Sequence, residues 1–552
     1  MANKHVNAVI VGAGASGGVV AKELATAGLT VALLERGKWY TYDDVDNDEL
    51  TSQRMFPLKC GYGPDKNKYR RVLENPDGST RLVYPNEWAY GNNAACVGGG
   101  TLSYGAMGWR FMPQDFIMKS RYGSVENSTL DDWPVSYDEL EPYYEKAEYE
   151  IGVSGDYRNN PFAGHRTKPF PMPGFSYNDE ARILEKAANN LGWHPFPIPM
   201  ARNSIPYRGR PACYRFRTCV GYACPVNAKG GSQNTVIPIA LQTGNCDLRT
   251  ECKVFEIILD DRGSAKGVKY YDQNDKLQTQ TSDIVVVAGS ASETARLLLL
   301  SKSKMFPNGA GNNNGWVGHN YQDHAYCGAN GLFAEDIFSD EGPGACIAIS
   351  DFNHENDGII GGGVLCNEFY PLPYQFSTMR PPGSKSWGKE HKDFQRKYFN
   401  KYLGVHGPIQ EIPVFEKKVE LDPEVKDYWG IPSLRVSGLR HEEDIKGCKF
   451  LAEKAEQWLK EAGAVETWQS VPGRQSTPGQ HQSGTCRMGN DPKTSVTNKY
   501  GQLHEIDNIF VADGSLHVTN GGFNPALTIF TMGYWVSDYI KKEWNGTKFK
   551  SN

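Results

Sequence analysis

The chain of 552 residues has no apolar run near the ~20 residues that a membrane-spanning helix needs; its longest runs sit in DIVVVAG and RLLLLS. No transmembrane segment is expected. Positive charge is not in surplus: 59 Lys plus Arg stand against 64 Asp plus Glu, a net charge of -5, and no Lys/Arg run appears. Phosphate neutralisation needs a basic face, so nucleic acid is excluded as the main partner. Cysteine is thin, at 12 residues, and scattered except for Cys213, Cys219 and Cys224. A disulfide scaffold is not expected in a chain large enough to build its own core. The start, MANKHVNAVIVGAG, goes straight into a strand-like segment. It has no charged n-region, long apolar h-region or cleavage site, so no signal peptide is expected. Export with a partner that carries a signal would leave no mark here, and cytoplasm and periplasm both stay open.

What is present describes a folded protein of two or more domains, with 39% hydrophobic and 12% aromatic residues over several times the usual domain length. The most informative stretch is HVNAVIVGAGASGGVVAKELATAGLTVALLERG. Val6 to Val11 read as a buried parallel strand, and Gly12, Gly14 and Gly17 form GxGxxG. Ser16 to Ala27 carry helical apolar spacing at Val19, Val20, Leu24 and Ala25. A second strand, LTVALLE, ends in Glu35, followed by Arg36. In such a unit one glycine makes a tight turn, one lets backbone approach a pyrophosphate, and one packs helix on strand. The helix N-terminus offers free N–H groups to phosphate. Glu35, 23 residues after Gly12, suits ribose hydroxyls and disfavours a 2′-phosphate. The motif therefore predicts NAD or FAD and does not choose between them.

Residues 38–90 are polar and weakly periodic and read as a long excursion. In ACVGGGTLSYGAMGWRF, Gly98, Gly99 and Gly100 stand against Thr101; such a run lets backbone lie flat on a ligand, or is a flexible turn. DDWPVSYDELEPYYEKAE predicts a helix after Trp133-Pro134, with Ser136 or Asp138 near its cap. Val254 to Leu259 and Val268 to Tyr271 read as a meander around DDRGSAKG. SDIVVVAGSASETARLLLLS repeats the strand–glycine–helix pattern at Ala288-Gly289, as a second βα unit of one parallel sheet would. Residues from about 325 to 475 change to alternating segments with many aromatics, which predicts a mostly antiparallel domain. HEEDIKGCKFLAEKAEQWLKEAGA is an amphipathic helix there. Near the C-terminus, NIFVADGSLHVT is a short strand ending on Asp513-Gly514, and NPALTIFTMGYWVSDYIKKEW is a helix with Pro525 by its first turn.

VIVGAGASGG, VGGGTLSYG, VGHNYQDH, HQSGTCRMG and VADGSLHVTNGGFNPALTI together resemble the glucose–methanol–choline flavin oxidoreductases, in that family's order over nearly the whole chain. DDWPVSYDELEPYYEKAE and CPVNAKGGSQNTVIPIA are most similar to its bacterial sugar branch, which includes gluconate 2-dehydrogenase, FAD glucose dehydrogenase, glucoside 3-dehydrogenase and pyranose oxidase. The resemblance implies an α/β fold: a discontinuous, Rossmann-like FAD-binding domain at 1–320 and 478–552, with insertions at about 38–90 and 155–230. A substrate-binding α+β domain at 321–477 carries the antiparallel sheet. It places Gly12, Gly14 and Gly17 on the pyrophosphate and Glu35 on the adenosine ribose. Ala15, Ser16 and Arg36 flank those contacts. Gly98, Gly99 and Thr101 approach phosphate or flavin, the Val254 backbone meets adenine, and Ala288-Gly289 pass nearby. Asp513 and Pro525 stand towards the ribityl end.

It also makes His481 and Asn524 the catalytic pair: an imidazole takes the hydroxyl proton, and a carboxamide orients the carbinol while the flavin accepts hydride. For His504 and His517 a structural part is expected. Some sugar oxidases carry FAD covalently on a histidine of the glycine-run motif; the aligned position here is Ser103, which implies a noncovalent flavin. The spacing of Cys213, Cys219 and Cys224 leaves two readings open, ordinary thiols or ligands of a 3Fe–4S cluster like that of the glucose and glucoside dehydrogenases. Expected substrates are sugars or glycosides, with C3 of a glucoside as a candidate position, and with electrons passing to an acceptor other than oxygen or through a small dehydrogenase subunit. An oxidase producing peroxide is the first alternative. A lyase with a structural FAD is more distant.

Overall fold

The computed structural model describes residues 4–50, 61–91, 94–156, 160–338, 341–475 and 479–545. The expected domain boundary at 477/478 lies outside the described residues. Among the described residues no helix is long and apolar enough to cross a membrane.

The N-terminal strand Val6–Val11 pairs in parallel with Val31–Leu34 on one side and with Leu277–Val287 on the other. Cys246–Arg249 extends the sheet beyond Val31–Leu34, and the short C-terminal strand Ile509–Val511 pairs in parallel with the upper half of Leu277–Val287. The lower half of that long strand pairs instead with Ala265–Tyr271, which pairs with Lys253–Leu259. The expected meander is thus built onto the parallel sheet through one shared strand. Val9, Ile10, Leu33, Val285, Val286 and Phe510 are fully buried. Near-continuous apolar strands of this kind are what a parallel sheet covered on both faces requires.

Two glycines of the first loop are fixed by close approach. Gly12 has φ of +102° and its Cβ would lie 2.4 Å from the Ala288 carbonyl oxygen; a Cβ on Gly17 would lie 2.0 Å from the Gly12 oxygen. Gly12 therefore serves the turn, and Gly17 serves the packing of helix Ala15–Thr26 on its strand.

The second sheet is antiparallel, as its alternation predicts. Its order is Glu466–Ser470, Tyr326–Leu332, Tyr402–Pro408, Leu365–Asn367, Ile347–Ile349 and Phe196–Pro197. Strand period 2 divides it into two faces. Cys327, Ala329, Leu403, Val405 and Leu365 pack under helix Glu442–Glu461, against Cys448, Leu451, Ala455, Trp458 and Leu459. The opposite face carries Tyr326, Asn330, Tyr402 and His406 and looks into a cavity.

Two strands of the presumed excursion, Arg71–Glu74 and Thr80–Val83, join Lys418–Lys426 and Pro432–Ser437 in a four-stranded sheet. Strands of four residues, one of them mostly exposed, leave too little periodicity to be read from sequence. Likewise Phe196–Pro197, from the second insertion, forms the edge of the antiparallel sheet. The helix Tyr137–Ile151 starts at Ser136, whose side chain accepts from the Glu139 N–H in a capping box.

Candidate active site

One cavity of about 880 Å³ runs from the first glycine loop to the antiparallel sheet. The carboxyl ends of the parallel strands open into it at Val11, Leu34 and Val287, the usual place for ligands in an open α/β sheet. Gly12, Gly14, Ala15, Ser16, Glu35, Arg36, Gly99, Thr101, Val254, Ala288, Gly289, Asp513 and Pro525 line it, together with His481 and Asn524. Residues spread over the entire chain are thereby brought to one space. Gly17 and Gly98 do not line it. Gly17 is behind the loop, and a Cβ on Gly98 would meet the Gln233 side chain at 2.5 Å. Their part is packing.

The glycine-loop end fits an anion. Gly14 caps helix Ala15–Thr26 without a side-chain hydrogen bond, and its first turn carries no acidic residue. Its leading N–H groups and positive helix end are left for a ligand. A Cβ on Gly14 would meet nothing within 4 Å, so that backbone faces open space. Glu35 is buried and oriented by the N–H groups of Ala13 and Gly37, each at 2.9 Å. Burial raises its pKa, against the pull of those two bonds. Asp513 is held by the Ser515 N–H and the Thr294 hydroxyl. Arg36 lies 3.4 Å from Glu293, which Arg71 also contacts at 2.7 Å. Burial opposes the charge of Glu293, but the cations Arg36, Arg71, Arg296 and Lys253 hold its carboxyl well below the usual range. Arg36 is thus committed to this buried network at the cavity wall.

At the other end, hydrogen bonds determine orientation and tautomer. The indole N–H of Trp109 can only donate, and it donates to Asn524 Oδ1 at 3.0 Å. Asn524 Nδ2 consequently faces the Tyr326 hydroxyl at 2.5 Å and His481 Nε2 at 3.4 Å. His324 Nε2 lies 3.0 Å from the Asn520 carbonyl and 2.8 Å from that of Gly521. Two acceptors require a proton on this nitrogen. Burial lowers the pKa of His324, so the ring is neutral and its Nδ1 is an acceptor. Nδ1 of His481, 3.0 Å away, must then carry the proton, and His481 Nε2 presents a lone pair beside Asn524. A general base needs that arrangement.

The backbone supports the pair. His481 sits at φ of +66°, a costly conformation for a residue with a Cβ, and its carbonyl accepts from Asn520 Nδ2 at 2.7 Å. Asn520 Oδ1 takes the Nδ1 proton of His517 at 3.1 Å. His517 is fully buried, which pushes its pKa down to about 4, and it does not line the cavity. His504 bonds Ser495 Oγ at 2.9 Å. Beneath His324, Glu411 accepts the N–H groups of Asp323 and His324, and Lys417 and Arg440 pair with Asp323 and Glu411.

Sequence reasoning therefore missed His324, Trp109 and Tyr326. His324 lies in the quoted VGHNYQDH segment, but nothing local ties it to a residue 157 positions away. The cluster alternative for Cys213, Cys219 and Cys224 finds no support. All three are free, half-buried thiols. No group of three or more His, Cys, Asp or Glu among the described residues is placed to hold a metal ion. Their loop is tied down by other bonds: Gly221 donates to the Ser103 carbonyl, and Lys229 donates to the Cys219 carbonyl.

Comparison with known proteins places the chain in a family. The N-terminal GMC oxidoreductase sequence model matches residues 7–326, and the C-terminal one matches residues 416–533. A 2-methyl-1,2-propanediol dehydrogenase of Mycolicibacterium austroafricanum is 31% identical over 98% of this chain and 96% of its own. The fructose dehydrogenase large subunit of Gluconobacter japonicus is 28% identical over 98% and 99%. The crystal structure of pyridoxine 4-oxidase from Mesorbium loti superposes with a TM-score of 0.61 over 97% of this chain and 98% of that one, at 15% identity, which shows the shared fold. The chain belongs to the GMC oxidoreductase family and is an oxidoreductase acting on alcohol groups.

Proposed function

We propose that this enzyme binds FAD noncovalently and oxidises a secondary hydroxyl of a sugar or glycoside, at C3 of a glucoside for instance, passing the electrons to an acceptor other than oxygen. The carrying observation is His481 Nε2 at 3.4 Å from Asn524 Nδ2, the donor end of that amide, facing a cavity whose other wall is a polar sheet face. The groups at the glycine loop fit a dinucleotide. The helix end of Ala15 and Ser16 suits the pyrophosphate, Glu35 the ribose, Val254 the adenine edge and Asp513 the ribityl side. Bound FAD supplies the two-electron acceptor for the hydride that leaves the carbinol carbon. His481 Nε2 takes the hydroxyl proton, and Asn524 donates to the oxygen as charge develops on it. Trp109 and Tyr326 keep the carboxamide from rotating.

Support for a sugar comes from Asn330, Tyr402 and His406 on the cavity face and from the fructose dehydrogenase relative. That relative's name, a large subunit, supports a small partner subunit here, with which export would occur. The propanediol dehydrogenase relative favours a second reading, a small vicinal diol. Anaerobic flavin bleaching with a panel of sugars, glycosides and small diols separates the two, and NMR of the product gives the carbon oxidised. No bleaching by any sugar sinks the first reading. Peroxide formed in step with substrate under air would make the enzyme an oxidase. Ser103 is fully buried and offers no ring nitrogen for a flavin bond, so acid precipitation is expected to release all the yellow colour into the supernatant; colour kept in the pellet would contradict this.

A further inference from the structure

The cavity-facing side of the antiparallel sheet forms a regular grid. Tyr326 stands in the row nearest the catalytic pair, with its hydroxyl on Asn524. Two residues further along, Gly328 pairs with His406, and His406 pairs with Cys366. Two residues beyond that, Asn330 pairs with Trp468 on one side and with Gly404 on the other, and Gly404 accepts the backbone N–H of Glu368. At about 3.4 Å per strand residue, the Asn330–Glu368 row lies about 14 Å along the strands from the Tyr326 row.

Three features distinguish this distant row. Its middle position, Gly404, has no side chain, and His406 leans into the gap: a Cβ on Gly404 would lie 3.1 Å from its Cε1 and Nδ1. Asn330 is oriented by the Tyr402 hydroxyl, which donates to its Oδ1 at 2.6 Å, and this leaves Nδ2 as a donor. Glu368 lines the cavity. Its carboxyl receives the neighbouring Phe369 N–H, and no side chain among the described residues pairs with it. Burial pushes that carboxyl up to about 7 and holds the imidazole of His406 down at about 4. Arg380, which also lines the cavity, forms no ion pair with Glu368 among the described residues.

A carboxyl group, an amide donor and an aromatic rim at Trp468 stand on a row about 14 Å along the strands from the Tyr326 row, a span longer than one hexose ring. We infer that Glu368, Asn330, Tyr402 and Trp468 form a distal subsite for a second hydroxylated ring, so that the substrate is a glycoside of disaccharide size. This rests on the sugar reading above. Glu368, whose carboxyl burial holds close to neutrality, would exchange hydrogen bonds with hydroxyls of that ring, accepting when ionised and donating when protonated.

The test uses FAD-loaded enzyme, with anaerobic flavin reduction followed for methyl β-glucoside, maltose and cellobiose. The wild type is expected to prefer a disaccharide. Glu368→Ala is expected to raise the KM for that disaccharide about fivefold, the scale of one lost hydrogen bond. The limiting rate, and methyl glucoside turnover, should stay within about twofold. Glu368→Gln, which keeps size, an acceptor oxygen and a donor, should recover part of the loss for the disaccharide. Unchanged disaccharide KM in both variants, or no disaccharide preference in the wild type, overturns the subsite while the sugar reading stands. Failure of every sugar to bleach wild-type flavin overturns both.

Discussion

Replacing His481 by alanine is expected to leave FAD bound and to slow flavin reduction by substrate about a thousandfold, within the ~10²–10⁴ that a positioned general base contributes. Binding should survive because the cofactor-fitting groups are spread over the opposite end of the cavity, from Gly12 to Arg36 and at Asp513. The effect belongs in the rate of the chemical step, since an alkoxide would then have to form without an acceptor for its proton. The pH profile gives a second readout. Wild-type reduction should fall on the acid side, because protonation of Nε2 removes the lone pair that does the work. His324 does not supply that limb: burial lowers its pKa, so it stays neutral as the pH falls past the point where an exposed imidazole would charge. In His481→Ala the limb should vanish with the rate. Stopped-flow reduction close to normal, or an unchanged acid limb, would end the proposed role of this residue.

His324→Leu should cost about a hundredfold in the reduction rate, with little change in KM, although His324 is a positioning residue here and takes no proton itself. Its ring is held by the Asn520 and Gly521 carbonyls and accepts from His481 Nδ1. Without that acceptor, residue 324 no longer holds the His481 proton on Nδ1, and the ring can place it on Nε2, which is the wrong tautomer for a base. Leucine also takes from the Asn520 and Gly521 carbonyls the ring N–H they share in a buried place, at about 1–3 kcal/mol. Thermal melting should therefore show a loss of stability beside the loss of rate. The control is His324→Asn, whose Oδ1 can stand near the lost Nδ1. It should restore much of the rate and leave the acid limb where it is. A His324→Leu enzyme that melts lower but reduces its flavin within threefold of wild type would show that the ring only packs.

The same geometry suits a carboxamide at residue 524 in the proposed reaction. There a group at this place donates to the substrate oxygen and does not compete for the proton. Trp109 makes Asn524 present its Nδ2 by occupying Oδ1. An aspartate at this place would face the indole comfortably but would offer the alkoxide a negative charge.

Much of the fold was legible because its signals are local. The glycine loop, the buried strands Val6–Val11 and Leu277–Val287, the helix from Ser136 and the amphipathic helix Glu442–Glu461 follow from backbone sterics and side-chain period within a few residues. The short strands at Arg71–Glu74, Thr80–Val83 and Phe196–Pro197 were not legible, since each is completed only by a partner far away in the chain. The three cysteines show the converse: proximity in sequence suggested a ligand set, and the folded loop does not gather one.

Sequence alone determined the nucleotide-binding unit, the antiparallel second sheet and the candidacy of His481 and Asn524, because residue type and short spacing carry that information. Tertiary structure alone decided which nitrogen of His481 faces Asn524, which way the Asn524 amide points, and that Glu368 looks into the same cavity. Those outcomes depend on Trp109, 415 positions from Asn524, and on His324, 157 from His481. Hydrogen-bond direction is set by the groups that packing brings within 3 Å, and no local pattern in the chain encodes which groups those are.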